Sequence, residues 1–166
     1  MYKTKVDKLK EQLAEINVYE KDPSVKRMLE IAREIYGQKL DIMSGHVLIR
    51  LGGELSGLYI SFGNKTAQAR AEHETTELVF KQVFSLVQKE IVLKDSGYKV
   101  TEAKNIATGK LENEAEDVLL KEAVYEQWKN IMDTCKTSIM FIQSALATKK
   151  SESFVGSNLH NNNNQG

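Results

Sequence analysis

The chain has 166 residues, with 23 lysines and arginines against 23 aspartates and glutamates, so its formal net charge is zero. A uniformly basic surface for binding a polyanion is therefore excluded, and such an attraction requires local separation of charge. Proline occurs once, and hydrophobic residues make up 41% and charged residues 28% of the chain. This composition is typical of amphipathic helices and predicts an all-α helical bundle.

The N-terminal residues and the cysteine content predict a cytoplasmic protein. Residues 1–15 alternate lysine and glutamate with single apolar residues, so we expect neither a signal peptide nor a membrane-spanning helix. Cys135 is the single cysteine, which excludes an intramolecular disulfide and a cysteine-based metal cage. We expect no metal and no cofactor.

Two amphipathic helices are predicted at the start of the chain. The first covers residues 2–18, where apolar residues recur at spacings of three and four. The second begins at Asp22 and Pro23, which are typical of an N-cap and a first helical residue. Gly37 is expected to end it.

The middle of the chain predicts an apolar segment followed by a longer helix. Residues 40–62 are the most apolar stretch, and Gly52 and Gly53 predict an interruption within it. Asn64 is a plausible N-cap for the next helix, which is expected to stop or kink at Gly97. The apolar face predicted for that helix consists of Ala67, Ala71, Leu78, Val79, Val83, Phe84, Leu86, Val87 and Ile91.

The last part of the chain predicts a short helix and a long one. The short helix covers residues 101–107, and Gly109 separates it from a final helix over residues 111–149. About 40 residues would make a rod of about 60 Å, which needs partners along its length. We therefore predict an oligomerisation seam formed by Val118, Tyr125, Trp128, Met132, Cys135, Ile139, Ile142 and Leu146.

This pattern divides the chain into three parts. Residues 1–110 form a predicted N-terminal helical domain with a basic segment, and residues 111–150 form the oligomerisation helix. Residues 151–166 are rich in serine and asparagine and are expected to be a disordered tail.

The sequence contains no complete catalytic signature. The segment from His73 to Glu77 resembles the zincin pattern but ends in glutamate where the second histidine ligand is required. A glycine-rich phosphate-binding loop is absent from the sequence. The sequence therefore predicts a protein that is not an enzyme.

Charge is separated between two neighbouring segments. Residues 78–110 carry six lysines and three acids, a local sum of +3, whereas residues 111–135 carry seven acids and two lysines, a local sum of −5. The basic segment suggests a contact with nucleic acid, in which lysines bind phosphates and an aromatic ring stacks on a base. The candidate residues are Lys89, Lys94, Tyr98, Lys99 and Lys104.

Two alternatives to this interpretation stay open. The lysines of the basic segment can simply be hydrated or pair with the acidic final helix. Nucleic acid can instead contact the N-terminal lysines, which are Lys3, Lys5, Lys8 and Lys10.

The final helix contains Asp117-Val118-Leu119, then Trp128 nine residues on, Asp133 five further and Cys135 two further. This spacing, followed by Ile139 and Ile142, resembles the C-terminal helix of the phage UvsY family of recombination mediators. The resemblance covers residues 117–144. Upstream, Leu93-Lys94 matches the start of the family's single-strand-binding segment, although Ser96 stands where that segment has an arginine.

The resemblance implies a non-enzymatic protein for DNA recombination and repair that assembles as a ring-like homo-oligomer. Such a protein binds single-stranded DNA and loads a RecA-like recombinase onto strands coated by single-stranded-DNA-binding protein. A bacteriophage protein of this kind would act in the host cell cytoplasm. The alternative hypothesis is a helical structural or assembly protein of a virion, without DNA contact.

The acidic segment has a predicted role under the first hypothesis. Its acids repel DNA and are suited to a basic surface on a protein partner, although a merely hydrated helix face explains them equally. The residues concerned are Glu112, Glu114, Glu116 and Glu122.

Overall fold

The computed structural model describes residues 5–37, 40–94 and 99–162, and these ranges contain helices and no strand. The prediction of an all-α fold is confirmed. The helices are α1 (Lys5–Glu15), α2 (Val18–Lys21), α3 (Pro23–Gly37), a 3-10 turn (Leu40–Ile42), α4 (Gly45–Lys94), α5 (Val100–Lys110) and α6 (Glu112–Asn162). No helix in these ranges is both long and apolar enough to cross a membrane.

The start of α3 follows the sequence prediction closely. The Asp22 Oδ1 atom accepts hydrogen bonds from the backbone N–H groups of Ser24 at 2.9 Å and Val25 at 3.3 Å. Asp22 is therefore the N-cap, Pro23 is the first helical residue, and the helix ends at Gly37.

Helix α4 corrects two predicted boundaries, because Gly52, Gly53 and Asn64 all lie inside one continuous helix. A Cβ atom at Gly52 would lie 3.3 Å from the Cγ2 atom of Ile142, so the glycine allows α6 to approach closely. A glycine inside a helix costs only about 1 kcal/mol, and tertiary packing offsets a cost of that size.

The division between α5 and α6 lies at Leu111 rather than at Gly109, which is inside α5. The Leu111 N–H donates to the Ala107 carbonyl, and the Leu111 carbonyl accepts from the Ala115 N–H. Leu111 is only 6% exposed, so its burial holds the chain at this point. The predicted break at Gly97 lies outside the described residues.

Helix α6 extends past residue 150, where the sequence predicts a disordered tail. Its backbone is helical to Asn162, and residues 163–166 lie outside the described residues. The segment contains no proline, and extending an existing helix is far easier than nucleating a new one.

The described residues form two compact units, and α4 and α6 each contribute to both. Among the described residues, unit 1 takes its residues from 5–18 and 65–128, and unit 2 from 19–64 and 129–162. This division differs from the predicted boundary at residue 110. The sequence periodicity located the helices, but it carries no information on which parts of two long helices share a core.

The two cores contain different side chains. In unit 2 the core is built from large residues of α3, α4 and α6, which are less than 2% exposed: Val25, Met28, Ile31, Ile35, Leu48, Leu51, Leu55, Phe62, Ile131, Cys135 and Ile142. In unit 1 the buried residues are fewer and several are small: Ala69, Ile91, Ala103, Ala107, Leu111 and Trp128.

Candidate nucleic-acid interface

The candidate interface lies in unit 1, where the C-terminal turns of α4 pack against α5. Ile91 of α4 and Ala103 and Ala107 of α5 form a buried cluster. Partly buried apolar side chains surround this cluster: Phe84, Val87, Val92 and Ile106. Two alanines on α5 let the helices approach closely, so polar residues of both helices are held at a defined end of the unit.

The first turn of α5 is fixed by a reciprocal hydrogen-bond pattern. The backbone N–H of Lys99 donates to Glu102 Oε2 at 3.1 Å, and the Lys99 carbonyl accepts from the Glu102 N–H at 2.9 Å. The glutamate three residues into a helix thus holds the residue that precedes the helix. Lys99 is therefore held at the start of α5.

Four of the five predicted DNA-contacting residues can be located. Lys89 and Lys94 lie on α4, Lys99 precedes α5 and Lys104 lies on α5, and all four are exposed. Tyr98 lies outside the described residues. Because lysines five residues apart are about 140° apart around a helix, Lys89 and Lys94 do not form one straight row.

Lys94 is partly neutralised by a neighbour. Its Nζ atom lies 2.5 Å from Glu90 Oε1. This hydrogen bond lowers the pKa of Glu90, and the charge of Lys110 lowers it further. Lys94 is therefore a weaker candidate for a phosphate contact than the sequence suggests.

Of the other lysines of the basic segment, Lys81 pairs with Glu77 at 2.7 Å and four make no ion pair among the described residues. Within the described ranges, no ion pair includes Lys89, Lys99, Lys104 or Lys110, and all four are exposed. The alternative in which these lysines pair with the acidic residues of α6 is therefore not observed for these four. Instead, Lys121 of α6 pairs with Glu72 of α4 at 3.0 Å.

A recess of about 420 Å³ lies beside Lys89. Gln88, Val92 and Leu93 complete its lining. The recess places aliphatic carbon next to a cation and has no aromatic side chain on which a base could stack. The sequence points to Leu93 only through the Leu93-Lys94 resemblance, and it gives no signal for the recess itself.

The predicted oligomerisation seam is mostly turned towards the protein's own interior. Trp128, Cys135 and Ile142 are buried. Cys135 Sγ donates to the Leu55 carbonyl at 3.4 Å, and Lys65 Nζ lies 4.8 Å from the Trp128 ring centroid. The other members of the seam are half-buried: Val118, Tyr125, Met132, Ile139 and Leu146.

The buried members of the seam therefore contact α4 of the same chain, and the role of the seam in oligomerisation stays a prediction. Burial raises the pKa of the Cys135 thiol to about 11, which keeps it neutral at physiological pH. Cys135 is thus a core residue.

A group of exposed apolar residues of unit 1 lies on α4, outside the predicted seam of α6. Leu78, Val79 and Leu86 were predicted to face the core, yet they are 57%, 52% and 65% exposed. Leu93 is 85% exposed. The sequence signal for this second face is the spacing of eight and seven residues between Leu78, Leu86 and Leu93.

The remaining candidate motifs carry no chemistry that can be assigned. The ring of His73 stacks on Tyr125 with centroids 6.3 Å apart, so this histidine belongs to the packing between α4 and α6. Among the described residues, no group of three or more histidine, cysteine or acidic side chains is arranged to hold a metal ion. On α6, Glu112, Glu114 and Glu122 are exposed and Glu116 is half-buried.

Comparison of the chain with protein-family models, with curated proteins and with solved structures finds no match.

Proposed function

We propose that this protein is a recombination mediator that binds single-stranded DNA. The observation that carries the proposal is the group of exposed lysines without ion pairs in the described ranges, at the packed end of α4 and α5. The group consists of Lys89, Lys99, Lys104 and Lys110. Phosphate binding requires cations that are exposed and not already neutralised, which these residues satisfy.

The proposal includes a mode of action. The protein assembles into a ring-like homo-oligomer and loads a RecA-like recombinase onto strands coated by single-stranded-DNA-binding protein. It is not an enzyme and acts by differential binding, favouring the strand conformation that the recombinase prefers. The resemblance of residues 117–144 to the UvsY family supports this mode.

The strength of DNA binding depends on assembly. Four phosphate contacts give a slope of log affinity against log salt of about −3 for a single protomer on single-stranded DNA. Several protomers on one strand multiply these contacts, so an oligomer binds much more tightly than its subunit.

Fluorescence anisotropy with labelled single-stranded DNA at several salt concentrations tests the interface. The double variant K99A/K104A is expected to flatten the slope by about 1.4, the amount for two lost contacts. The matched control is K26A/K136A, which removes two exposed lysines of α3 and α6 and is expected to leave the slope unchanged.

The outcomes separate the alternatives. An unchanged slope in K99A/K104A contradicts the assigned site and favours the N-terminal lysines. If the unaltered protein has no salt-dependent affinity for single-stranded DNA, the proposed function is wrong and the helical assembly protein becomes the better hypothesis.

A loading assay tests the partner role of the acidic residues of α6. Recombinase filament formation on coated strands is expected to be stimulated by the protein, and stimulation on bare strands to be small. Glu114→Lys with Glu122→Lys should abolish loading while DNA affinity is kept or raised. Asp133→Lys with Glu152→Lys, two exposed acids further along α6, is the matched control. Normal loading by the first variant would exclude this face as the recombinase contact.

A further inference from the structure

The part of α4 that belongs to unit 1 is apolar on two opposite sides. Residues two positions apart lie about 160° apart around a helix, so Ile91 and Leu93 point in nearly opposite directions. Ile91 is 8% exposed in the cluster with α5, whereas Leu93 is 85% exposed. A helix with two apolar sides needs a partner on each, and in unit 1 the described residues of α5 and α6 pack on α4 but leave the side that carries Leu93 exposed.

The uncovered side, called here the outer face, extends over nearly four heptads. Its residues recur at spacings of three and four and are all exposed: Ala67, Ala71, Thr75, Leu78, Gln82, Leu86, Lys89 and Leu93. Lys89 is the only charged residue among them, in a chain of which 28% is charged. From residue 67 to residue 93 the face is about 39 Å long, the length of a short coiled coil.

We propose that the outer face of α4 binds the same face of a second copy of this chain in antiparallel orientation. The size of the side chains supports this occupant. Leu86 and Leu93 lie towards the C-terminal end of the face and Leu78 near its middle, whereas Ala67, Ala71 and Thr75 lie towards the other end. An antiparallel pair sets large side chains against small ones at both ends.

Charge selects the same orientation. A parallel pair would set Lys89 against its own copy, which is unfavourable. An antiparallel pair moves Lys89 towards the opposite end of the partner's face, where Glu72, Glu74 and Glu77 outnumber Arg70, although Glu74 pairs with Arg70 and Glu72 with Lys121 within each chain. The face carries too little positive charge to be a phosphate-binding surface in its own right.

This interface deepens the proposed function, since it supplies a contact for the homo-oligomer, but it does not require DNA binding. A contact of identical faces closes as a dimer, so a larger ring needs a second surface. In this dimer the partner's face covers Lys89, so the phosphate contacts of the assembled protein are left to Lys99, Lys104 and Lys110. Substitution of Lys89 is therefore unsuitable as a test of either surface alone.

Sedimentation of the full chain without DNA tests the interface. The unaltered protein is expected to be a dimer or larger at micromolar concentration. Leu78→Lys with Leu86→Lys should weaken association by roughly 1,000-fold, because two lysines would be buried without partners. Leu119→Lys, an exposed position on α6, is the matched control and should associate normally. Circular dichroism checks that each variant keeps its helix content.

A disulfide experiment tests the orientation. Leu93→Cys mixed with Ala67→Cys is expected to form a mixed disulfide under oxidation, whereas Leu93→Cys alone forms little. Cys135 does not interfere because it is buried. A monomeric unaltered protein, normal assembly by the double lysine variant, or preferential self-linking of Leu93→Cys would each overturn the proposal. Because none of these measurements uses DNA, loss of the DNA interface leaves their outcome unchanged.

Discussion

Units 1 and 2 differ in what they bury. Among the described residues, the twelve largest fully buried side chains all lie in unit 2, including Phe62, Met28 and Ile131. Unit 1 has a thinner core, in which alanines and partly exposed residues take the place of large aliphatic side chains. The same unit exposes Leu78, Leu86 and Leu93 on α4.

The difference in core composition suggests that unit 2 contributes more of the stability and unit 1 more of the binding surface. Unit 2 obtains its stability from its own side chains, since burial of large apolar groups is the main favourable contribution to folding. Unit 1 exposes Leu86, Leu93 and four lysines of α4 and α5, although unit 2 also exposes large apolar side chains such as Ile42, Ile49 and Ile60. Regions with few buried contacts open more readily, which suits a surface that binds and releases a ligand.

Truncation of core side chains should give the largest effect, and it tests directly whether the two cores differ in stability. Phe62→Ala in unit 2 is expected to lower the free energy of unfolding by about 3–5 kcal/mol. Ile91→Ala in unit 1 should cost about 2 kcal/mol, because its surroundings are less completely buried. Urea denaturation followed by circular dichroism measures both values, and equal losses would contradict the difference between the cores.

The reactivity of a thiol in each unit measures how readily that unit opens locally. Native Cys135 should react with iodoacetamide at pH 8 at least about 100-fold more slowly than in urea, because its raised pKa leaves little thiolate and burial blocks access. Ile91→Cys, which places a thiol in unit 1, should react faster than Cys135 in the same molecule. Mass spectrometry of the two peptides gives both rates, and a faster Cys135 would reverse the assignment of the more stable unit.

The same thiol predicts a pH dependence. The folded pKa of about 11 lies above the ordinary value of 9.0, so the contribution of Cys135 to stability is complete below pH 9. It is lost as the pH rises from 9 towards 11. Replacement of Cys135 by alanine should remove this component from a series of urea midpoints.

Glycine positions test how tightly each helix is covered. Gly53 in unit 2 and Gly109 in unit 1 would carry a Cβ atom into open space, so substitution by alanine should stabilise by about 0.5–1 kcal/mol. At Gly52 the new atom would meet Ile142, so no gain or a loss is expected. Thermal melting of the three variants measures the pattern, and equal gains at all three would mean that α6 does not constrain Gly52.

The smallest effect is expected from the ion pairs. Arg27 of unit 2 donates to both carboxylate oxygens of Glu54, at 2.6 and 3.0 Å, whereas Lys121 of unit 1 makes one contact with Glu72. Both pairs lower the pKa of their glutamate, so their stabilisation is present above about pH 4.5 and is lost as the pH falls further. Glu54→Gln should flatten the acid side of the stability profile more than Glu72→Gln. A larger effect of Glu72→Gln than of Glu54→Gln in acid titrations would contradict the advantage of the bidentate contact.

Structural features that depend only on neighbouring residues were predictable from the sequence. The Asp22 cap and the end of α3 at Gly37 depend on groups within a few positions, and the structure has both. The continuity of α4 through Gly52 was not predictable, because the close approach that favours glycine there comes from Ile142. The reason for a glycine at position 52 is therefore a tertiary contact, which local sequence patterns do not contain.

The candidate site was predictable only in part for a related reason. The position of Lys89, Lys99 and Lys104 can be read from the sequence, and a pair four residues apart such as Glu90 and Lys94 is also visible there. Periodicity cannot distinguish the inner side of α4 from the outer face, since both are apolar. For α6, periodicity did not show that Trp128, Cys135 and Ile142 are buried within the chain whereas the other five members of the seam are half-buried.

The discontinuous make-up of unit 2 has a consequence during synthesis of the chain. Leu55 and Cys135, which share a hydrogen bond in its core, are 80 residues apart. At a translation rate of about 5–20 residues per second, the ribosome needs about 4–16 s to supply Cys135 after Leu55. Until then the core-facing side chains of α3 and α4 lack their cover from α6, so this interval is when the nascent protein is most exposed to chaperones and proteases.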